Sequence, residues 1–310
     1  MSLEVKELFK KYGDKVVVDN VSFSMPGPGV YALLGTNGAG KTTSIRMILG
    51  MLEKDGGSVT WEGKPLNFDT CNIGYLAEER GLYPKYSLMD QLRYFGELRG
   101  VDRKTVDERI KYWAERLAVE EYIYQKKGKK QQSPDQLSKG NQQKIQFLIA
   151  MISDPQLLVL DEPFSGLDPV NTDLLKGLVR EQIAAGKYII MSSHQMEAVE
   201  EFCTDITILH RSKVVVSGNL NEIKKASGRV NLRLKVEQDI SSFIRDAGVE
   251  LITEKEYEYV LKVTGDDQAN GLLKSLIAAG IPIVKFDLSE LSLHEIFVNA
   301  VGDEAKEVQE

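Results

Sequence analysis

Residues 1–30 alternate apolar and polar positions in the manner of strands, most clearly in VVVDNVSFSM, and the pattern breaks at Pro26, Gly27, Pro28 and Gly29. Such a pattern predicts hairpin-like antiparallel structure. From Val30 to about Gly218 the character changes: short apolar runs (VYALL, LLVL, KYIIM, ITIL) are mixed with helical patterns, which predicts a parallel sheet covered by helices. Between residues 83 and 152 no strand pattern occurs, while LMDQLRYFGELRG, VDERIKYWAERLAV and NQQKIQFLIAMIS carry apolar residues at helical spacing. A helical subdomain inserted into the sheet, at about 83–152, is the expectation.

The segment SGNLNEIKKASG is polar with glycine near both ends, as a linker with at most one short helix would be. It places a domain boundary near residue 225. Beyond it the periodicity reads strand RVNLRLKV, helix DISSFIRDAG, strands VELITEK and EYVLKVTG, helix DQANGLLKSLIAAG, strand IPIVKFDL and helix SLHEIFVNAV. That order, βαββαβ, is the α+β order of a ferredoxin-like domain, whose two βαβ halves share one sheet. The expected organisation is therefore one large domain at 1–224, a small one at 225–302 and a frayed acidic tail at 303–310.

Composition adds a few exclusions. With 42% hydrophobic and 27% charged residues over 310 positions the chain reads as an ordinary globular protein, neither disordered nor fibrous. Its formal net charge of -7 repels nucleic acid unless a local basic patch reverses the field. The densest basic run, Lys126, Lys127, Lys129 and Lys130, has none of the interleaved aromatics that stack on bases and reads as a solvated loop. No nucleic-acid partner is expected. Cys71 and Cys203 form no CxxC or metal-ligand spacing, which fits a reducing compartment, the cytoplasm by default. The amino terminus lacks a signal-like apolar core and no run of ~18 apolar residues occurs, so the chain is not expected to span a membrane itself.

The sharpest local signal follows the strand VYALL. GTNGAGKTT matches the pattern GxxxxGK[ST], with Gly35, Gly40, Lys41 and Thr42 at its fixed positions, and the helical SIRMILGML comes directly after. Glycines there, Gly38 included, let backbone N–H groups close on phosphate oxygens, so Gly35, Thr36, Asn37, Gly38, Ala39, Gly40, Lys41, Thr42 and Thr43 form the candidate phosphate cradle. Lys41 supplies a positive charge for the β and γ phosphates, the Thr42 hydroxyl is a ligand for Mg2+, and the helix turns its positive end to the same group.

Two more strands converge on this chemistry. LLVLDEP runs four apolar residues into two carboxylates, Asp161 and Glu162; burying two adjacent acids needs a reason, and a divalent cation is the usual one. Asp161 is the candidate metal ligand and Glu162 the candidate base for an attacking water. KYIIM runs likewise into SSH and puts His194 at a strand's carboxyl end, where open α/β sheets bind ligands. His210 and His294 have no such context and read as structural.

Taken together these residues resemble the ATPase subunits of ABC transporters over about residues 3–218. GTNGAGKT resembles that family's Walker A, LLVLDEP its Walker B, SGLD (165–168) its D-loop and SSH its switch histidine. LSKGNQQK resembles the LSGGQ signature, stands about twenty residues before Walker B and opens the helix KIQFLIAMIS. The resemblance implies an ABC ATPase core of the P-loop NTPase class, with an antiparallel β subdomain and an inserted helical subdomain. It also implies that Ser138 and Gly140 touch the γ phosphate of ATP held mainly by a second ATPase subunit, identical or related, so that two chains close on two MgATP. Tyr12 stands at the family's distance for an aromatic stacked on adenine, with an edge-strand tyrosine as the alternative. In GYLAEERGLYP a metal-sensing glutamine is replaced by Glu78, whose carboxylate can still ligate the cation. Lys139 and Asn141 replace a glycine and the glutamine of the signature.

The trailing α/β domain and these variants are most similar to exporter-type ATPases of the sodium- and drug-extrusion kind. Their partner is a multi-span membrane permease on a separate chain, which implies a cytoplasmic subunit held on the inner face of the membrane, with residues 83–100 flanking the docking groove. A mechanical ABC ATPase acting on ribosomes or DNA is the alternative. That class usually shows tandem ATPase domains or long coiled-coil insertions, and this sequence has one phosphate-loop motif and no sustained heptads.

Overall fold

The alternating amino-terminal segment forms β1 (Leu3–Tyr12) and β2 (Lys15–Met25) in the computed structural model, which describes residues 2–79, 81–124 and 133–307. The basic run at 126–130 lies outside the described residues. After β3 (Gly29–Gly35) and α1 (Lys41–Ile48), the chain returns through β4 (Gly56–Trp61) and β5 (Lys64–Pro65) to complete a four-stranded sheet of order β2-β1-β4-β5. β1 is its centre, antiparallel to both β2 and β4. The last two strands were not anticipated: GSVTWEGKP lies in the stretch expected to be parallel, yet its alternation belongs to the antiparallel sheet. Inward residues such as Leu3, Leu8, Val21 and Trp61 join one core with Ile45 and Ile48 of α1 and with Leu33 of β3.

The second sheet has the order β10-β9-β3-β8-β7-β6, from β6 (Ile73–Leu76), β7 (Leu157–Asp161), β8 (Tyr188–Ser193), β9 (Asp205–His210) and β10 (Lys213–Asn219). The pairs β9/β3, β3/β8, β8/β7 and β7/β6 are all parallel. Every residue of β7 and β8 is buried, as expected of strands covered on both faces. Their register sets Asp161 opposite Ser192, while Leu34 faces Ser193.

Between β6 and β7 lie α2 (Leu88–Leu98), α3 (Arg103–Arg116), α4 (Glu120–Ile123) and α5 (Lys139–Met151), with no strand among the described residues; α6 (Pro169–Ala184) and α7 (Met196–Glu200) flank β8. Ser87, Asp102, Ser138 and Asp168 each accept a backbone N–H at the start of α2, α3, α5 and α6, satisfying donors that a helix start leaves unpaired. The Arg93 guanidinium bridges α2 to α3 by donating to Asp107 at 2.7 and 3.0 Å. Both side chains are partly exposed, so the pair is worth no more than about 1 kcal/mol; burying one of Leu88, Leu92, Val106 or Ile110 contributes ~1.5–3 kcal/mol. Apolar burial, not the ion pair, therefore holds this part together. Arg93 keeps the Asp107 carboxyl below its usual value. Its stabilisation is complete above the unfolded pKa of about 4 and fades as pH falls through the lower folded value. Asp107→Asn should accordingly melt slightly below the wild type at neutral pH, and thermal scans should show the gap closing below about pH 3.

Contacts divide the chain into Met1–Ser217 and Gly218–Glu310, earlier than the boundary expected near 225. The expected linker is the end of β10 followed by α8 (Leu220–Ser227), which Asn219 caps by accepting from the Asn221 and Glu222 N–H groups. The second unit contains β11 (Arg229–Val236), α9 (Ser241–Asp246), β12 (Glu250–Lys255), β13 (Glu258–Lys262), α10 (Asp266–Ala278), β14 (Ile283–Glu290) and α11 (Leu293–Glu307). Its antiparallel sheet runs β12-β13-β11-β14, the arrangement that the βαββαβ order implies. Where a frayed tail was expected from residue 303, α11 continues to Glu307, because Asp, Glu, Ala and Lys in GDEAKE do not break a helix.

Candidate active site

The loop between β3 and α1 wraps around the Lys41 ammonium. Lys41 is buried, and its Nζ donates to the carbonyls of Gly35 at 2.8 Å and Thr36 at 3.3 Å. Two glycines make this closure sterically possible. At φ +145° a Cβ on Gly35 would stand 2.2 Å from the Leu209 carbonyl oxygen, and at φ +107° one on Gly40 would stand 2.5 Å from that of Val17. No L side chain fits either place. Gly40 is also the residue before α1 and offers no side-chain cap, so the helix begins with unsatisfied N–H donors, a ready anion site.

Opposite this loop stand the carboxylates. Thr42 Oγ1 lies 3.4 Å from Asp161 Oδ1 and 3.5 Å from Glu78 Oε2, long for O–H···O bonds. Asp161 is fully buried, and its Oδ2 has no hydrogen-bond partner. Burial above all pushes the Asp161 carboxyl up, with the charges of Glu78 and Glu162 adding, while hydrogen bonds from Ser192 and Thr42 oppose the shift. Glu162 is buried too, at 4% exposure. Its Oε1 stands 3.3 Å from Lys41 Nζ, outside hydrogen-bond geometry but close enough for an ion pair, and its Oε2 lies 2.9 Å from His194 Nδ1. The Glu162 backbone sits at φ +52°, a left-handed conformation costing a non-glycine residue on the order of 1–3 kcal/mol.

The carboxylates of Glu78 and Asp161 thus stand beside the Thr42 hydroxyl, and that of Glu162 beside the Lys41 ammonium. The donors around Thr42 and the unpartnered Asp161 oxygen are all hard oxygens, suiting Mg2+ rather than a softer metal. Among the described residues no cluster of three or more His, Cys, Asp or Glu could cage a metal alone. That also fits Mg2+ in phosphate sites, which is held by one or two protein oxygens plus phosphate and water. The cleft itself, of about 220 Å3 and lined among others by Asn37, Gly38, Lys41, Thr42, Glu78 and Glu162, is small for a whole nucleotide. It is of a size for its phosphates. A larger groove of about 470 Å3, lined by Tyr83, Tyr86, Asp90, Gln91 and Tyr94, belongs to the helical part.

Three sequence candidates stand elsewhere. Tyr12 ends β1, is 55% exposed with the Lys10 ammonium 5.6 Å from its ring centre, and does not line the phosphate-loop cleft. Ser138 and Gly140 open α5, also away from that cleft; Ser138 Oγ accepts from the Asn141 N–H at 3.2 Å, capping its own helix. His210 and His294 do not line it either. Sequence reasoning missed Ser192, whose Oγ donates to Asp161 Oδ1 and accepts from the Glu162 N–H at 3.1 Å. It also missed Gln143, which donates from α5 to the carbonyl of Pro163 at 3.3 Å. The only available signal for Ser192 was a hydroxyl within SSH, two residues before a candidate histidine.

The chain matches the ABC transporter family over residues 18–165 and the ATP-binding protein DrrA1-3-like C-terminal domain over residues 218–301. It is 42% identical over 301 residues to the uncharacterized ABC transporter ATP-binding protein YhaQ of Bacillus subtilis, covering 97% of this chain and 98% of that one. The Nod factor export ATP-binding protein I of Sinorhizobium fredii is 32% identical over 222 residues, 70% of this chain and 63% of its own. Among solved structures, an ATP-binding subunit of an ABC transporter superposes with a TM-score of 0.65 at 30% identity, over 73% of this chain and 93% of that one.

Proposed function

The chain belongs to the ATP-binding subunits of ABC transporters, and on that footing we propose that it hydrolyses ATP as one half of a dimer closed on two MgATP, driving a separate membrane permease. One observation carries the reading. Lys41, Thr42, Asp161, Glu162 and His194 meet at the carboxyl ends of β3, β7 and β8, whereas Ser138 and Gly140 open a helix that does not line the same cleft. If the signature contacts the γ phosphate, as the resemblance to ABC ATPases implies, a second chain would supply it to each site, because Ser138 and Gly140 do not line their own chain's cleft.

Within one site the roles divide by chemistry. Lys41 and the uncapped start of α1 hold the β and γ phosphates. Thr42 and Asp161, with Glu78 beside them, would hold Mg2+, which when bound neutralises charge on those phosphates. Glu162 accepts a proton from, or orients, the water that attacks the γ phosphorus. His194, anchored on Glu162 and itself exposed, fixes that carboxylate and reaches toward the γ phosphate. Tyr12, exposed at the end of β1, is the proposed stacking partner for adenine.

Among the described residues no helix is long and apolar enough to cross a membrane. A permease on another chain would hold this subunit on the cytoplasmic face, as the family assignment implies. The tyrosine-lined groove around Tyr83, Tyr86 and Tyr94 is the surface we assign to that contact. Likeness to a Nod factor export ATPase favours export over import. A pull-down of the tagged chain from detergent-solubilised native membranes should enrich a hydrophobic multi-span protein. Recovery of ribosomal or DNA-bound proteins instead, with no membrane protein, would overturn the transport reading and leave the ATPase chemistry standing.

A further inference from the structure

Consecutive side chains of a strand point to opposite faces of its sheet. Asp161, the last residue of β7, and Glu162, the first beyond it, depart from that pattern: Asp161 reaches Thr42 and Glu162 reaches Lys41, two adjacent residues of the same helix turn. The departure is made at Glu162, whose left-handed backbone turns its carboxylate into the cleft beside its neighbour's. A glutamate holds such a conformation only where its surroundings over-determine it.

We propose that Ser192 is the residue that does so, a positioning residue for both carboxylates of the site; the proposal rests on the hydrolytic reading of Asp161 and Glu162 above. Ser192 is fully buried and stands opposite Asp161 in the parallel register of β7 and β8. The Glu162 N–H donates to both of its oxygens, to Oγ at 3.1 Å and to the carbonyl at 3.2 Å. That shared bond pins the backbone where the strand ends. The same hydroxyl gives its proton to Asp161 Oδ1, the oxygen that also lies 3.4 Å from Thr42 Oγ1, and so fixes the rotation of a carboxylate whose Oδ2 is without a partner. One residue thus holds the Asp161 carboxylate and the Glu162 backbone at once, and it stands two residues before His194, which with Lys41 contacts the Glu162 carboxylate. A chain of contacts from Thr42 through Asp161 and Ser192 to Glu162 and His194 links the ends of β7 and β8.

The test uses the purified full chain and three variants. Ser192→Ala removes the hydroxyl, Ser192→Cys refills the space with a poor hydrogen-bonding group, and Ser192→Thr keeps the hydroxyl. Phosphate release, nucleotide affinity by titration with a fluorescent ATP analogue, and the Mg2+ dependence of that affinity are measured together. Alanine and cysteine should each lower kcat about 10- to 100-fold, the usual cost of losing an outer support. They should also raise the Mg2+ concentration needed for half-maximal binding, with nucleotide affinity at saturating Mg2+ changed by less than about 3-fold. Threonine should restore both properties. Wild-type kcat and Mg2+ dependence in the alanine variant would overturn the proposal. So would a uniform fall in nucleotide affinity that threonine does not rescue, because that pattern marks a packing defect. Glu162→Gln is assayed in parallel. Full turnover there would overturn the hydrolytic reading of Glu162 itself, whereas an inactive Glu162→Gln beside an unaffected Ser192→Ala would remove only the role of Ser192.

Discussion

Glu162→Gln is expected to abolish turnover while leaving ATP bound, and to accumulate an ATP-closed dimer. The amide has nearly the volume of the carboxylate it replaces, which matters at a side chain only 4% exposed, so packing should survive. Its single amide oxygen can still face Lys41, which stands 3.3 Å from Oε1, while its NH2 takes the place of Oε2 and can donate to His194 Nδ1, 2.9 Å away, in the tautomer that leaves that nitrogen bare. What it loses is basicity, and removing a general base costs about 10²- to 10⁴-fold in rate. It also removes one of the two carboxylates that line the phosphate-loop cleft, so nucleotide affinity should hold or rise. Phosphate release followed beside size-exclusion chromatography in ATP and Mg2+ checks both halves. Full turnover in the variant would sink the assignment of Glu162, and a variant that is inactive yet strictly monomeric with ATP bound would sink the closed-dimer mechanism.

How much of this site could be read from the sequence depends on how local each piece is. The phosphate loop, the two carboxylates and His194 were legible because each is a short motif at the end of an apolar run, and such a run in an α/β sheet ends where ligands bind. Nothing in the sequence, however, says why Gly35 must be glycine. The obstacle is the carbonyl of Leu209, brought alongside by the pairing of β3 with β9. Ser192 stayed hidden for the same reason, since its meaning lies in a parallel register with β7 that no local pattern encodes. The strands β4 and β5 were passed over because a short alternating stretch after a helix does not announce which sheet it joins, and the antiparallel sheet takes them through β1. In the second unit the reading was more complete: seven consecutive elements were legible from periodicity, and hairpins and short connections leave few alternative sheet orders. The boundary before it was placed late because α8, polar over most of its length, reads as linker until its cap at Asn219 is seen.

Lys41→Ala should fail in the opposite way to Glu162→Gln, losing nucleotide affinity first. A charge-assisted hydrogen bond contributes about 1.5–3 kcal/mol, so losing one phosphate contact predicts a fall of roughly 10- to 150-fold in ATP affinity. The loss is compounded inside the protein. Without the ammonium the carbonyls of Gly35 and Thr36 lose their buried donor, and Glu162 loses the lysine ammonium beside it. The loop should then be less closed even before nucleotide arrives. Lys41→Arg is the informative control, because a planar guanidinium is larger than the 6%-exposed site around the lysine nitrogen and does not substitute for a point charge there. It should rescue little. Thermal scans separate this from misfolding: ATP raises the melting temperature of a protein that binds it only when folded, so the wild type should be stabilised by added nucleotide and Lys41→Ala should not, even where the two melt alike without it. Unchanged ATP affinity in Lys41→Ala would mean that the loop between β3 and α1 is not the phosphate site, and the roles given to Thr42, Asp161 and Glu162 would fall with it.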